Sequence, residues 1–433
     1  MFKLLRICAF CIVLALTISY SFAQNNIKFE FDVDSQVYNL GQEAAVTISV
    51  YEDEELVTEG NLSVRFTNDG RDQVAETQAF DLAMDNPVTL KAKLDFPGFL
   101  QIVASAVGVD DSKKVTRTAG LAFAPEKIEV GKPMPDDFDA FWKQGQEEVR
   151  KLPLDLEKTK LDLLCTDDYD VFSLSFATVN DRRVYGFLCV PKKGEAPYPT
   201  LVNVPGAGPG VGPETWLAKE GFVVFTMNVF PYPVSLDAKE RQQQYDEYNK
   251  KLGQTYCYLD SNDREKYFFR AVYLGIDRAI DWLANESYVD VNRIGYFGTS
   301  QGGASALILG GLNQHFCAIL SSVPALCDHG GYEKGRSPGW PRLVDTAKGN
   351  DDVKYASQYL DAAYFARRIE VPITVTVGFI DGVCSPSSVY AAYNSIPSAE
   401  KRILHEPLLG HQNKDQYAKA FIEFRNLVKD SGK

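Results

Sequence analysis

The chain is predicted to be an α/β protein with a mostly parallel sheet, preceded by a smaller all-β domain. Three observations carry that expectation. From about residue 160 onward, apolar β-branched runs alternate with helical patterns, the order that builds a parallel sheet covered by helices. Residues 24–124 instead hold short alternating runs separated by turn residues, with no helical period. Near the middle of the α/β half, a strand pattern passes into a helical one through the tight turn Gly298-Thr299-Ser300-Gln301-Gly302.

Taken in order, the chain opens on a leader. Lys3 and Arg6 give a positive start, Ile7 to Ile18 an apolar run, and Ser21-Phe22-Ala23 a small-x-small cleavage pattern before Gln24. Residues 1–23 are therefore expected to be a signal peptide, and the mature protein exported, soluble and either periplasmic or secreted. No later run is apolar for long enough to span a membrane. Loss of Lys3 and Arg6 moves the formal net charge from -13 to -15. A field that acidic disfavours nucleic acid and anionic lipid, and suits a neutral partner such as an acylated sugar. Of the eight cysteines, Cys8 and Cys11 lie in the leader. The other six are Cys165, Cys189, Cys257, Cys317, Cys327 and Cys384. They are widely spaced, form no CxxC metal pattern, and read first as buried thiols, with one or two disulfides left open by an oxidising compartment.

Residues 24–124 form the all-β unit. Val46 to Val50, Leu62 to Phe66 and Leu90 to Leu94 alternate apolar and polar positions, and Asn68-Asp69-Gly70 and Phe96-Pro97-Gly98 supply turns. This spacing predicts an immunoglobulin-like β-sandwich. It contains neither Cys nor Trp, the four Trp being Trp142, Trp216, Trp282 and Trp340. Without Trp platforms, a structural or assembly role is expected ahead of carbohydrate binding. Residues 125–152 are a linker and a docking helix, predicted from Asp136 to Arg150, whose Phe138, Phe141, Trp142 and Val149 make one apolar stripe. Residues 153–433 are the α/β domain. Within it, Pro231 to Asp263 is rich in Tyr, Gln and charge, and is expected to be an excursion over the sheet that shapes a pocket.

The turn at Ser300 carries the chemistry. Asp290 to Arg293 is expected to be a turn, Ile294 to Phe297 a strand, and Ala304 to Leu309 a helix. Gly-x-Ser-x-Gly between a strand and a helix holds the Ser on a sharp elbow with its hydroxyl exposed. Gly298 and Gly302 are needed where a Cβ would meet neighbouring backbone. Gln301 follows in the first helical turn, where a free N–H and the helix dipole favour an anion.

A serine nucleophile needs a His to take its proton and a carboxylate to orient that His. The α/β-hydrolase fold places them in the order Ser, acid, His. The chain has four histidines, His315, His329, His405 and His411, all after Ser300. His315 lies beyond the elbow helix, and His329 sits in a Gly-rich loop. His405 is in the strand-like run Lys401 to Glu406 and is the second choice of base. His411 is in the loop between that strand and a last helix from Asp415 to Val428, and is the first choice. Asp381 follows the β-branched strand Ile373 to Gly378 and is the expected acid; Asp361 and Asp328 are weaker candidates. The second oxyanion N–H is assigned to Ala207, after the strand Tyr198 to Val204. The glycines at 206, 208, 210 and 212 fail the G-x-G-x-x-G dinucleotide pattern, because Val211 stands at the third Gly position. No metal or cofactor is required.

From about residue 125 to the end, the chain resembles the acetyl xylan esterase / cephalosporin C deacetylase family. The resemblance rests on several pieces in order: Phe138-Asp-Ala-Phe-Trp142, Tyr267-Phe-Phe-Arg270, Arg293 to Gly303 around the Ser-Gln-Gly-Gly elbow, Val323-Pro324-Ala-Leu-Cys327-Asp328, Val377 to Pro386, and Ala391-Ala-Tyr393-Asn394. It implies a serine carbohydrate esterase that deacetylates small acetylated sugars such as xylo-oligosaccharides. It implies Ser300, Asp381 and His411 as the triad, with oxyanion N–H groups from Gln301 and from Ala207, where the family usually has Tyr. A homo-oligomer is left open. Three departures stand beside it: Phe230-Pro231-Tyr232 where the family has Arg-Gly-Gln, His411-Gln412 for His-Glu, and Pro205-Gly206 for His-Gly. The rival readings are a serine peptidase or uronoyl esterase, and an inert carbohydrate-binding protein on the same fold.

Overall fold

The computed structural model describes residues 27–107, 114–346, 349–412 and 415–432. The expected signal peptide lies outside them. Residues 27–123 form two facing sheets. One orders its strands Val37–Tyr38, Lys114–Phe123, Gly98–Val107, Asn61–Asn68, Asp72–Asp81; the other joins Ile27–Val33, Ala44–Glu52, Glu55–Leu56 and Val88–Ala92. The alternation in the sequence is what builds this core. Val46, Ile48 and Val50 from one sheet meet Leu62, Val64 and Phe66 from the other, while the residues between them face outward.

The helix Phe138–Lys151 docks its stripe as the pattern predicts. Trp142 is buried and donates from Nε1 to the Tyr359 carbonyl at 2.9 Å, and its ring lies edge-on to Phe365 at 5.0 Å. Beyond it comes a nine-stranded sheet. Its spatial order is Glu157–Lys160, Tyr169–Thr178, Arg182–Pro191, Val223–Asn228, Tyr198–Asn203, Val289–Thr299, Phe316–Ser322, Ile373–Gly378, Lys401–Glu406. The first three are antiparallel additions, and from Val223–Asn228 onward neighbouring strands run parallel. The parallel strands are buried on both faces, which explains their continuous β-branched and apolar composition.

Two expectations change. Asp290 to Arg293 is not a free turn but part of the strand Val289–Thr299. The pairing with Tyr198–Asn203 jumps there from Tyr198–Val289 to Thr200–Ile294, so the segment bulges, and Asp290 Oδ1 accepts the Asn292 N–H at 3.0 Å. Asx-type bonding gives strand and turn the same local signature. The excursion at 231–263 holds a full helix, Ala238–Leu252, with Asp237 as its N-cap and Gly253 at φ 68° as its C-cap. Its polar exposed face hid the helical period. Among the described residues, all six cysteines are free thiols, and no helix is long and apolar enough to cross a membrane.

Candidate active site

The site forms where the parallel strands end. The strand Val289–Thr299 runs into Ser300, and the helix Gln301–Leu312 starts at the next residue. Ser300 has φ 60° and ψ -118°, a conformation that non-glycine residues hold only when the surroundings enforce it. The surroundings do so. Ser300 N–H donates to the Ser322 carbonyl at 2.9 Å, and the Ser300 carbonyl accepts from Ala304 at 2.9 Å and Ala325 at 3.1 Å. A side chain on Gly298 would strike the Gly302 backbone, and one on Gly302 would strike the Val204 carbonyl. Both glycines are thus required by close backbone approach, the reason the sequence pattern needs them.

The strands Ile373–Gly378 and Lys401–Glu406 lie side by side, and the loops after them carry Asp381 and His411. His411 Nε2 lies 2.8 Å from Ser300 Oγ, and His411 Nδ1 lies 2.8 Å from Asp381 Oδ2. With Nδ1–H donating its hydrogen bond to the Asp381 carboxylate, Nε2 is left to accept from the Ser300 hydroxyl. Asp381 is fully buried, and its Oδ1 accepts the backbone N–H groups of Val383 at 2.7 Å and Cys384 at 2.9 Å. Three donors therefore meet one buried carboxylate, which compensates its removal from water. The His411 side chain keeps about a quarter of its surface exposed, so it reaches both Ser300 and solvent.

The remaining candidates lie elsewhere. His405 points from its strand toward the Tyr390 hydroxyl and lies beside the Phe379 ring at 5.2 Å; burial lowers its pKa. His329 is fully buried, and desolvation drives its pKa down to about 4, so it is neutral in the fold. His315 approaches Asp281 at 3.5 Å, behind the elbow helix. Asp361 accepts the N–H groups of Asp328 at 2.8 Å and His329 at 2.7 Å, and Asp328 accepts that of Gly131 at 2.6 Å and pairs with Arg336 at 2.6 Å. Asp361 thus holds backbone, and Asp328 holds backbone and the Arg336 guanidinium.

The loop Pro205-Gly206-Ala207 passes along the elbow. A methyl group at Gly206 would lie 3.8 Å from Ser300 Cβ, and Ala207 is exposed. The buried Gln301 side chain ties this loop down, donating from Nε2 to the Pro205 carbonyl at 3.2 Å and accepting at Oε1 from the Tyr256 hydroxyl at 2.5 Å. Nothing in the order of residues points to this brace. Tyr256 sits in the excursion, 45 positions before Gln301, and only its aromatic density was visible. Among the described residues, no group of three or more His, Cys, Asp or Glu side chains is placed to hold a metal.

The chain is similar to known proteins. The chain is 33% identical over 322 residues to "Acetyl esterase Axe7A" of Xylanibacter ruminicola, covering 73% of this chain and 71% of that protein. The structure of acetyl xylan esterase 1 from Thermoanaerobacterium sp. superposes with a TM-score of 0.59 at 23% identity, over 70% of this chain and 97% of that one. The acetyl xylan esterase from Paenibacillus sp. R4 gives 0.58 at 22%, over 70% and 98%. Both structures share the α/β-hydrolase core. The family model for acetyl xylan esterase (AXE1) matches residues 126–427. The chain belongs to the acetyl xylan esterase family and is a carboxylic ester hydrolase.

Proposed function

We propose that this carbohydrate esterase removes acetyl groups from acetylated xylo-oligosaccharides or related sugars through an acetyl-enzyme on Ser300. The supporting observation is the hydrogen-bonded line from Ser300 Oγ through His411 to buried Asp381, at 2.8 Å for each step. Ser300 Oγ attacks the acetyl carbonyl while His411 Nε2 takes its proton. The N–H groups of Gln301 and Ala207 hold the oxyanion, each worth about 3–4 kcal/mol in comparable sites. The tetrahedral intermediate collapses, His411 protonates the departing sugar oxygen, and the acetyl group stays on Ser300. Water, deprotonated by His411, then releases acetate and restores the hydroxyl. Residues 1–23 direct export, so the mature chain starts at Gln24; an N-terminus found elsewhere by sequencing the secreted protein would reject that start.

The test is a hydrolysis panel on the purified protein: p-nitrophenyl acetate and butyrate, acetylated xylo-oligosaccharides and a peptide amide, each with Ser300→Ala alongside. Rapid acetate release with a burst of product, both lost in Ser300→Ala, is expected. Turnover of the peptide amide without acetyl esters would move the site to a peptidase. Activity that survives Ser300→Ala would reject the nucleophile.

A further inference from the structure

The all-β region takes no part in the ester chemistry above, and the family match begins only after it. Yet its two longest central strands reach the loops that carry the acid and the base. Gly98–Val107 and Lys114–Phe123 are buried on both faces at the end nearest the α/β domain. Leu100, Leu121 and Phe123 enter the sandwich core, whereas Phe99 and Ala122 belong to the core of the catalytic domain.

Three contacts fall on the two loops. Gln101, only 5% exposed, donates from Nε2 to the Phe379 carbonyl at 3.1 Å. Gly120 donates its N–H to the Pro407 carbonyl at 2.9 Å. The Phe99 ring meets Phe379 at 5.0 Å and Tyr390 at 5.4 Å. Any side chain at Gly120 would strike Phe379, so the strand backbone presses directly on that residue. Phe379 stands two positions before Asp381, and Pro407 four before His411. The loops are also joined to each other, by Phe379 N–H to the Glu406 carbonyl at 3.0 Å and Ile380 N–H to the Leu409 carbonyl at 3.2 Å. Behind Gln101, the turn at Asn68 to Gly70 fixes its strand: Asp69 N–H donates to the Phe99 carbonyl at 3.0 Å, and Gly70, at φ +70°, leaves room for Gln101 Oε1.

We infer that the β-sandwich is a positioning element for the catalytic acid and base, with Gln101 and Gly120 holding the Phe379 and Pro407 carbonyls and so setting the Asp381–His411 separation. The inference rests on the triad reading above. The chemistry needs His411 Nδ1 within hydrogen-bond reach of Asp381 and Nε2 within reach of Ser300 at once. A loop displaced by about 1 Å breaks one of these, and such misplacements cost up to about 10²-fold in rate. Loss of the Gln101 amide would leave a buried carbonyl unpaired, a cost the acid loop relieves by moving.

The experiment uses the full chain. Gln101→Met keeps the length of the side chain and removes the donor. Expected are a kcat on p-nitrophenyl acetate lowered roughly ten- to 10²-fold, an unchanged KM, equally slowed fluorophosphonate labelling, and a weakened low-field proton resonance from His411 Nδ1–H. Gln101→Asn, with the amide on a shorter arm, is expected to keep part of the rate and serves where Met is not tolerated. Arg71→Ala is the control. Arg71 crosses the same interface, donating to the Arg336 carbonyl at 2.9 Å and stacking on Tyr332 at 4.3 Å, but touches neither loop. It should lower Tm and leave kcat per labelled site unchanged. An unchanged kcat and resonance in Gln101→Met, or equal loss in Arg71→Ala, overturns the positioning role. Activity surviving in a parallel Ser300→Ala sample would instead overturn the triad reading, so the two failures are told apart.

Discussion

Ser300 and the Asp381–His411 pair are held in different ways. Ser300 and the Gln301 N–H come from one unbroken run, Gly298 to Gly303, whose shape is forced by backbone meeting backbone. Asp381 and His411 come from two loops 30 positions apart, braced by a hydrogen bond from Gln101 that spans 278 positions. The elbow is rigid because its neighbours leave it no alternative. The loops of Asp381 and His411 instead meet the β-sandwich through single hydrogen bonds, so under the proposed positioning role this is the half the sandwich tunes without rebuilding the elbow.

The largest effect that can break this contrast is Gly302→Ala. The new methyl group would meet the Val204 carbonyl, which cannot rotate away as a side chain would. Overpacking of this kind costs about 1–3 kcal/mol of stability, and a displaced elbow should lose about 10²-fold in kcat. Chemical denaturation and p-nitrophenyl acetate turnover measure the two losses. Wild-type values in this variant would mean that close backbone contact does not set the shape of the elbow.

The same division marks what the sequence could show. The strand before Ser300, the helix after it and the strands Ile373–Gly378 and Lys401–Glu406 were legible, because each is a local period closed by local punctuation. Asp381 and His411 could be selected because chain order and four histidines leave few choices. Gln101 and Gly120 could not be, since nothing in a β-strand's alternation says which distant carbonyl it will meet. The bulge at Asp290 to Arg293 read as a turn because an Asp side chain makes the same bond in either setting.

A smaller effect sharpens the role of the interface through pH. Asp69 is fully buried in the sandwich turn facing the catalytic domain. Desolvation raises its pKa from 3.8 to about 6, with Ser387, Ser337 and Arg336 offsetting only part of that cost. Neither carboxyl oxygen makes a well-formed hydrogen bond. The folded state therefore holds a proton that the unfolded state has lost between those values. Stability is greatest below the unfolded value, falls as pH rises from about 4 to about 6, and then levels. Asp69→Asn removes that penalty and tolerates the left-handed backbone at φ 50°. It should stabilise the protein by up to about 3 kcal/mol at pH 8 and by little at pH 4. Thermal melts of both proteins at the two pH values test this; an equal gain at both would place the strain in packing rather than charge.

The smallest effect tests whether the Ser300 half also leans on distant side chains. Phe230 stands where the family carries its Arg-Gly-Gln motif, and its ring packs edge-on against Tyr256 at 5.1 Å. Burial raises the Tyr256 pKa well above its ordinary value, so the hydroxyl stays protonated and donates to Gln301 at any working pH. Through Gln301 Nε2 that bond continues to Pro205, and hence to the loop that carries Ala207. An aromatic cage thus surrounds the hydroxyl that holds the Gln301 side chain. Tyr256→Phe keeps the ring in its cage and leaves Gln301 Oε1 buried without a donor, a loss of about 1–3 kcal/mol. Because the backbone hydrogen bonds to Ser322, Ala304 and Ala325 still hold Ser300, most of that cost should fall on stability and only a few-fold on kcat, with KM for p-nitrophenyl acetate unchanged. A kcat as low as that of Gln101→Met would show that both halves of the site lean equally on remote contacts, and the contrast drawn from the elbow would fall.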